Sequence, residues 1–189
     1  MEAAGFPRLT TPRLVLRAPE ERDIPAWFAR ATDVESASLA GDPAPADISA
    51  GKRWLARSRR RFLDGKAIQW SIDHDGVAGA IGTITLSFDA VDAEAATLGF
   101  VLGRAHWGQG LGTEAAREVL RYGFETLSLE QVTAEAVERN PASLRLLAKL
   151  GFRHVESFVD ESDGERCERF ALDGNGRSSR LAGYMSPGF

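Results

Sequence analysis

Three glycines alternate at Gly108, Gly110 and Gly112, between an apolar segment ending near Leu102 and an amphipathic stretch that begins near Ala115. Glycine lets the backbone turn tightly and bring its N–H groups close to a ligand. The first turn of a helix leaves its N–H donors unpaired, and its dipole favours an anion. Strand, glycine loop and helix start, in that order, therefore predict a cradle for a pyrophosphate. The spacing narrows the ligand. A nucleotide P-loop needs Gly-Lys-Ser/Thr after its spacer, whereas Thr113 and Glu114 follow Gly112 here. A dinucleotide fingerprint needs G-x-G-x-x-G in a βαβ unit with a ribose-binding acid, and this chain has G-x-G-x-G past its middle. Taken alone, the pattern reads equally well as a strand-to-helix connection with no ligand.

A second pair of chemistry-bearing residues lies further on. Asn140 and Ser143 are three apart around Pro141, at the start of a short predicted helix, so both can face one side. A serine hydroxyl there can donate a proton or hydrogen bond to a leaving group. The ordinary alternative is local: Asn140 as an N-cap and Ser143 satisfying first-turn backbone groups. His74, His106 and His154 are scattered without metal-ligand spacing, and Cys167 sits on a late strand away from both motifs, so no metal site or covalent intermediate is expected. Lys52, Arg53, Arg57, Arg59, Arg60 and Arg61 read as the solvated face of an amphipathic helix, with attraction of an acidic substrate or phosphates as the functional alternative.

The elements that must position these residues follow from periodicity. Alternation predicts a first strand over Arg13 to Arg17, stopped by Pro19, with Asp23 as N-cap of a short helix through Trp27 and Phe28. Gly41 to Ala46 reads as a loop, and Ser49 to Leu63 as a helix burying Trp54, Leu55 and Phe62. A hairpin follows: Ala67 to His74, the turn pair Asp75-Gly76, then a long strand from Val77 to Phe88. Asp89 to Ala95 is a loop and Thr97 to Leu102 a central strand. The period then changes to about 3.6, with Ala116, Val119, Leu120, Gly123, Phe124 and Leu127 on one stripe. Gln131 to Val137 is a strand, Pro141 to Leu150 a helix closed by Gly151, and two strands flank the Asp163-Gly164 turn, His154 to Val159 and Arg166 to Leu172. Strands on both sides of helices give a mixed sheet in one α/β (α+β) domain over residues 1–189, with its core over about 9–172 and a weakly periodic tail from 173.

Composition sets outer bounds. The chain of 189 residues has 43% hydrophobic and 26% charged residues and a formal charge of -4, which points away from nucleic acid and anionic membranes. One cysteine, no charged-then-apolar leader and no bilayer-length apolar run lead to the expectation of a soluble cytoplasmic protein.

Three motifs in order carry a family resemblance. H-W-G-Q-G-L-G-T-E-A (His106 to Ala115) resembles the coenzyme A loop of GNAT-superfamily acetyltransferases, with Gly110 and Gly112 at the two small positions. Trp107 stands where Gln or Arg is usual, as in the RimJ/RimL-like branch. N-P-A-S-L-R-L-L-A-K-L-G-F (Asn140 to Phe152) and L-T-T-P-R-L-V-L-R (Leu9 to Arg17) are similar to that branch's later helix and opening strand.

The resemblance implies a mostly antiparallel sheet, flanked by helices, whose strands Thr97–Leu102 and Gln131–Val137 splay in a V. It implies acetyl-CoA as cofactor. Phe100, Val101 and Leu102 would pair with the pantetheine arm, Trp107, Gly108, Gln109, Gly110, Leu111, Gly112 and Thr113 would hold the pyrophosphate, Asn140 would contact pantetheine, and Ser143 would lie near the thioester sulfur. The branch often carries a glutamate where this chain has Thr97. Glu135 and Glu94 are the nearest substitutes as general base, and for both a salt-bridged or solvated carboxylate is the ordinary reading. The implied reaction is direct transfer to an amine, either a protein N-terminus or a small molecule such as a polyamine, antibiotic or aminoacyl compound. A non-catalytic acyl-CoA-binding module is the alternative. Family habit implies a homodimer.

Overall fold

Period-two sequence builds the sheet, and its two sides differ sharply. The computed structural model describes residues 5–40, 44–89, 92, 94–161 and 164–174. Eight strands, β1 (Leu9–Thr10), β2 (Leu14–Arg17), β3 (Ala67–His74), β4 (Gly82–Phe88), β5 (Ala95–Leu102), β6 (Gln131–Val137), β7 (Arg153–Val159) and β8 (Arg166–Asp173), lie in the order β1-β2-β3-β4-β5-β6-β8-β7. Every neighbouring pair is antiparallel except β5 and β6. Five helices flank the sheet: α1 (Ile24–Thr32), α2 (Val34–Ala40), α3 (Ala50–Leu63), α4 (Leu111–Glu125) and α5 (Pro141–Lys149).

One face is apolar. Trp70, Ile72, Ile84 and Leu86 are buried there, and the apolar stripe of α4 packs on them through Ala115, Ala116 and Val119. Trp70 meets Phe6 and Tyr122 edge-on and hands its indole N–H to the Pro7 carbonyl at 2.7 Å. The intervening residues of β3 and β4 are polar: Gln69, Ser71, Thr83, Thr85 and Ser87. This second face lies under α1 and α3, where Ser71 donates to Asp23 and Arg61 donates to Ser87.

A buried ion network fixes the first helix to that polar face. Arg17 is 3% exposed and grips Asp23 through both terminal nitrogens at 2.8 and 2.7 Å, while also donating to Asp73 at 2.6 and 2.7 Å. Asp23 accepts further bonds from the Glu20 amide and the Ser71 hydroxyl. Burial pushes the Asp23 carboxyl upward, but the bonds from Arg17, Glu20 and Ser71 outweigh it and hold it below the usual aspartate range. Asp23 stands at the N-cap of α1, as the sequence predicts, but its carboxylate makes no cap bond to that helix, because it closes a 3-10 turn (Glu21–Asp23) and answers Arg17 instead.

Other boundaries also move. The predicted strand from Val77 begins only at Gly82, because Gly76 and Gly79 take positive φ and interrupt the ladder. The helix through Trp27 ends at Asp33, whose extended backbone starts α2, an element the periodicity did not reveal; the Asp33 carboxylate accepts from the Ser36 amide. The predicted loops and turn at 41–46, 89–95 and 163–164, and the tail, lie partly outside the described residues.

Replacing Asp23 by Asn should cost about 3 kcal/mol, because a buried guanidinium loses the more deeply buried of its two carboxylate partners and keeps only Asp73. Because the carboxyl's folded value is lower than its unfolded value of about 3.9, its stabilisation is present above that value and fades as the pH falls through the folded one. Urea unfolding from pH 7 to pH 3 should show the gap between wild type and Asp23→Asn closing below about pH 4. A constant gap would refute this account.

Candidate active site

The parallel pair β5 and β6 is joined along only half its length. Residues pair from Ala95 with Gln131 to Leu98 with Ala134, and no pairing continues beyond. Each strand stays registered with its outer neighbour, Leu102 against Gly82 of β4 and Val137 against Cys167 of β8. The sheet therefore forks after Leu98, as the predicted V requires. Thr97 and Thr133 join hydroxyls at 3.0 Å at the closed end of the fork. The backbone of residues 99–102 facing the gap has no strand partner, and such groups require one.

The open end of the fork runs into the glycine loop. After β5 a 3-10 turn (Arg104–His106) leads to Trp107, whose indole N–H donates back to the Leu102 carbonyl at 2.8 Å. The loop is thus pinned to the strand that precedes it. Gly108 and Gly110 adopt φ of 73° and 77°, left-handed conformations that cost other residues roughly 1–2 kcal/mol. Gly110 is the N-cap of α4 and brings no capping side chain, so the first amides of α4 are left for another acceptor. Gly112 serves a different end. A Cβ there would come within 3.1 Å of Leu146 and 3.2 Å of Leu102, so its absence lets α4 start against both α5 and β5.

Residues near the N-terminus hold this helix start. Glu114 accepts from the Thr11 hydroxyl at 2.6 Å and from the Arg13 amide and guanidinium at 3.1 and 2.7 Å. Arg13 also donates to the Gln109 carbonyl at 3.2 Å. Burial raises the Glu114 carboxyl, but the bonds from Thr11 and Arg13 overcome it and keep it ionised below its usual range. The motifs T-T-P-R and T-E-A each stood out in the sequence; their mutual contact, 101 to 103 residues apart, did not.

A cleft of about 930 Å³ occupies the fork and extends through the sheet to the polar face under α1 and α3. Every predicted site residue except Gln109 and the alternative base Glu94 lines it. The Gln109 side chain turns away and donates to the Ala105 carbonyl at 2.9 Å. Asn140 caps α5, its Oδ1 accepting from the Ser143 amide at 3.0 Å, and this bond sets Ser143 on the cleft side. Glu135 reaches the cleft from the open half of β6, but Arg169 donates to its carboxylate at 2.9 Å. Glu94 stands at the other end of β5, where its carbonyl accepts from the Glu130 amide. Among the described residues no group of three or more His, Cys, Asp or Glu is placed to hold a metal.

The basic cluster of α3 is divided by the fold. Arg60 pairs with Asp64 and Arg61 with Ser87, whereas Arg53 and Arg57 line the cleft. Two further residues line the cleft. His106, read in the sequence only as a scattered histidine and as the start of the loop motif, is held below its ordinary value by burial and by His74. Arg30, on α1, is buried beside Ala80.

Comparison with known proteins agrees with this geometry. A family model described as the acetyltransferase (GNAT) domain matches residues 13–153. The uncharacterized N-acetyltransferase YoaA of Bacillus subtilis (strain 168) is 30% identical over 148 residues, 78% of this chain and 84% of that protein. The [ribosomal protein uS5]-alanine N-acetyltransferase of Escherichia coli (strain K12) is 28% identical over 192 residues, 95% of this chain and 91% of the relative. Among solved structures, the spermidine N-acetyltransferase of Vibrio cholerae, in complex with CoA and spermine, shares the fold with a TM-score of 0.75 at 17% identity, covering 87% of this chain and 97% of that one.

Glu114→Ala should release the helix start from the N-terminal turn. Hydrogen exchange of the amides at residues 107–113 is expected to accelerate, with a loss of about 1 kcal/mol in global stability because the pair is partly exposed. Unchanged exchange in that loop would show that Glu114 does not hold it.

Proposed function

The chain belongs to the GNAT acetyltransferase family, whose members draw on acetyl-CoA, and from that premise we propose direct acetyl transfer to a primary amine that enters across the sheet from the glycine loop. One observation carries the reading: a forked parallel pair opens onto an uncapped helix start through two left-handed glycines, and Ser143 stands on the same cleft.

The residues present fit a pyrophosphate-bearing acyl donor. The loop Trp107 to Thr113 offers backbone N–H groups and the positive end of α4 to the phosphates, and the open half of β5 offers a strand edge to the pantetheine arm. Bound acetyl-CoA supplies a thioester carbonyl and a thiolate leaving group. An amide in the open half of β5 stabilises the charge that grows on the carbonyl oxygen. The amine nitrogen would form the new N–C bond as the C–S bond breaks, and the Ser143 hydroxyl would pass its proton to the departing sulfur and regain one, through water, from the nitrogen that has become the amide. Asn140 positions Ser143 through its cap bond.

A strong base is dispensable for an α-amine, whose pKa of about 7.7–8.0 lies far below the lysine value of about 10.4, so proton loss through water suffices. This matters because Thr97 is engaged with Thr133 and Glu135 with Arg169. The match to the uS5-alanine enzyme over nearly the whole chain supports a RimJ/RimL-like branch and an α-amine acceptor. No helix among the described residues is long and apolar enough to cross a membrane. The reading places the enzyme in the cytoplasm and includes a homodimer, which light scattering tests.

Calorimetric titration should show saturable binding of acetyl-CoA and none of NADH or ATP. Gly110→Asp should weaken binding at least about tenfold, since it strains the left-handed position and sets a negative charge at the helix start. No binding by folded protein would overturn the assignment. Ser143→Ala should lower kcat by about a hundredfold with the acetyl-CoA Kd unchanged. Glu135→Gln should leave kcat within about twofold, because its carboxylate is engaged by Arg169.

A further inference from the structure

Arg30 is only 7% exposed, yet no carboxylate among the described residues holds it. Its Nη1 reaches the Ala26 and Ala80 carbonyls at 3.3 and 3.4 Å, beyond the usual range for such bonds, and its other N–H groups have no acceptor among the described residues. The acid that supports it electrostatically, Asp23, is already engaged by Arg17, Glu20 and Ser71. Burial lowers the Arg30 guanidinium to about 10, so it is charged at neutral pH. A buried cation without a counter-ion costs several kcal/mol, and here it lines the cleft.

Two more cations face the same half of the cavity. Arg53 and Arg57, one turn apart on α3, line it, and no described carboxylate lies within ion-pair distance of either, although Asp47 feels the charge of Arg53. Trp27 and Trp54, stacked at 5.4 Å, line the cleft as well, as do Thr83 and Thr85. The only described carboxylate lining the whole cleft is Glu135, and it is paired with Arg169, which Glu156 shares. The cofactor phosphates do not account for the three arginines. The loop assigned to those phosphates lies at the start of α4, beside Arg13, whereas α1 and α3 cover the opposite, polar face of the sheet.

We propose that this half of the cleft selects an acceptor amine that carries its own anion, a carboxylate or a phosphate, with Arg30 as its anchoring donor and Arg53 and Arg57 flanking it. The proposal rests on the acetyltransferase reading and narrows its acceptor. A guanidinium fork matches both anions with two parallel hydrogen bonds. The anion would supply the partner that Arg30 lacks in the fold. A polyamine, by contrast, would meet three positive charges, so the shared fold with a spermidine enzyme does not extend to its acceptor.

Matched acceptors test this. Acetyl transfer would be measured with amino acids against their amides, phosphorylated amines against their unphosphorylated forms, peptides with acidic against amidated residues after the N-terminus, and spermidine. In at least one pair the anionic member should have the higher kcat/KM, by roughly tenfold to hundredfold. The pair that responds distinguishes a small acceptor from an acidic peptide. Arg53→Gln and Arg57→Gln together should erase most of that preference through KM, with the acetyl-CoA Kd unchanged. Both positions are exposed on α3, so the test does not depend on Arg30→Lys folding. Preference for neutral or cationic members overturns the proposal, as does a preference indifferent to the α3 variants or no transfer to any anionic amine by protein that binds acetyl-CoA. Failure of folded protein to bind acetyl-CoA sinks the acetyltransferase reading instead, and this proposal with it.

Discussion

A β-sheet cannot lose its ladder in the middle without leaving backbone donors and acceptors in search of partners. In this protein β5 and β6 pair as far as Leu98 and Ala134 and then separate, each following its outer neighbour. The fork is the feature on which the rest of the molecule turns. It makes the cleft, it aims the end of β5 at the start of α4, and it exposes a strand edge that an extended acyl-carrying arm can join. Thr97 and Thr133, bonded at the closed end, mark where the joined half of the pair gives way to the open one.

Holding a fork open requires that both banks be fixed from elsewhere. On the α4 side, Thr11 and Arg13 seize Glu114, and Trp107 ties the loop to Leu102. On the α1 side, Arg17, Asp23, Asp73 and Ser71 form one buried network that sets the first helix on β2 and β3. Both devices use charged groups, but only the second lies at depth, where geometry is strict and a missing partner is costly. Apolar packing would hold these elements too, but with less say over register and angle. Arg30 lies on the helix so fixed, and the network engages the one acid that supports it.

The polar face of the sheet has the same logic. Alternation along β3 and β4 places Trp70, Ile84 and Leu86 under α4, and Gln69, Thr83 and Thr85 under the opposite helices. A polar strand face is usually left to water, whereas here α1 and α3 roof it over. The roof makes an enclosed space of arginines, tryptophans and threonines. Such a space is suited to recognising a polar molecule with a definite charge.

The sequence by itself determined what depends on near neighbours. Strand and helix periods, the glycine loop, the Asn140 cap and the resemblance of three short motifs are local, and they were enough to reach the sheet and the cofactor. Turn chemistry was legible only in part, since two positive-φ glycines delayed β4 and an extended Asp33 created α2. What the tertiary structure alone decided were pairings between charges far apart in the chain. Glu114 meets Arg13 across 101 residues, Glu135 is taken by Arg169, the Asp23 carboxylate answers Arg17 from its N-cap position, and of six basic residues on α3 only Arg53 and Arg57 line the cleft. A charged side chain carries no periodicity that names its partner, and its role is set by which opposite charge the fold brings within a few ångströms.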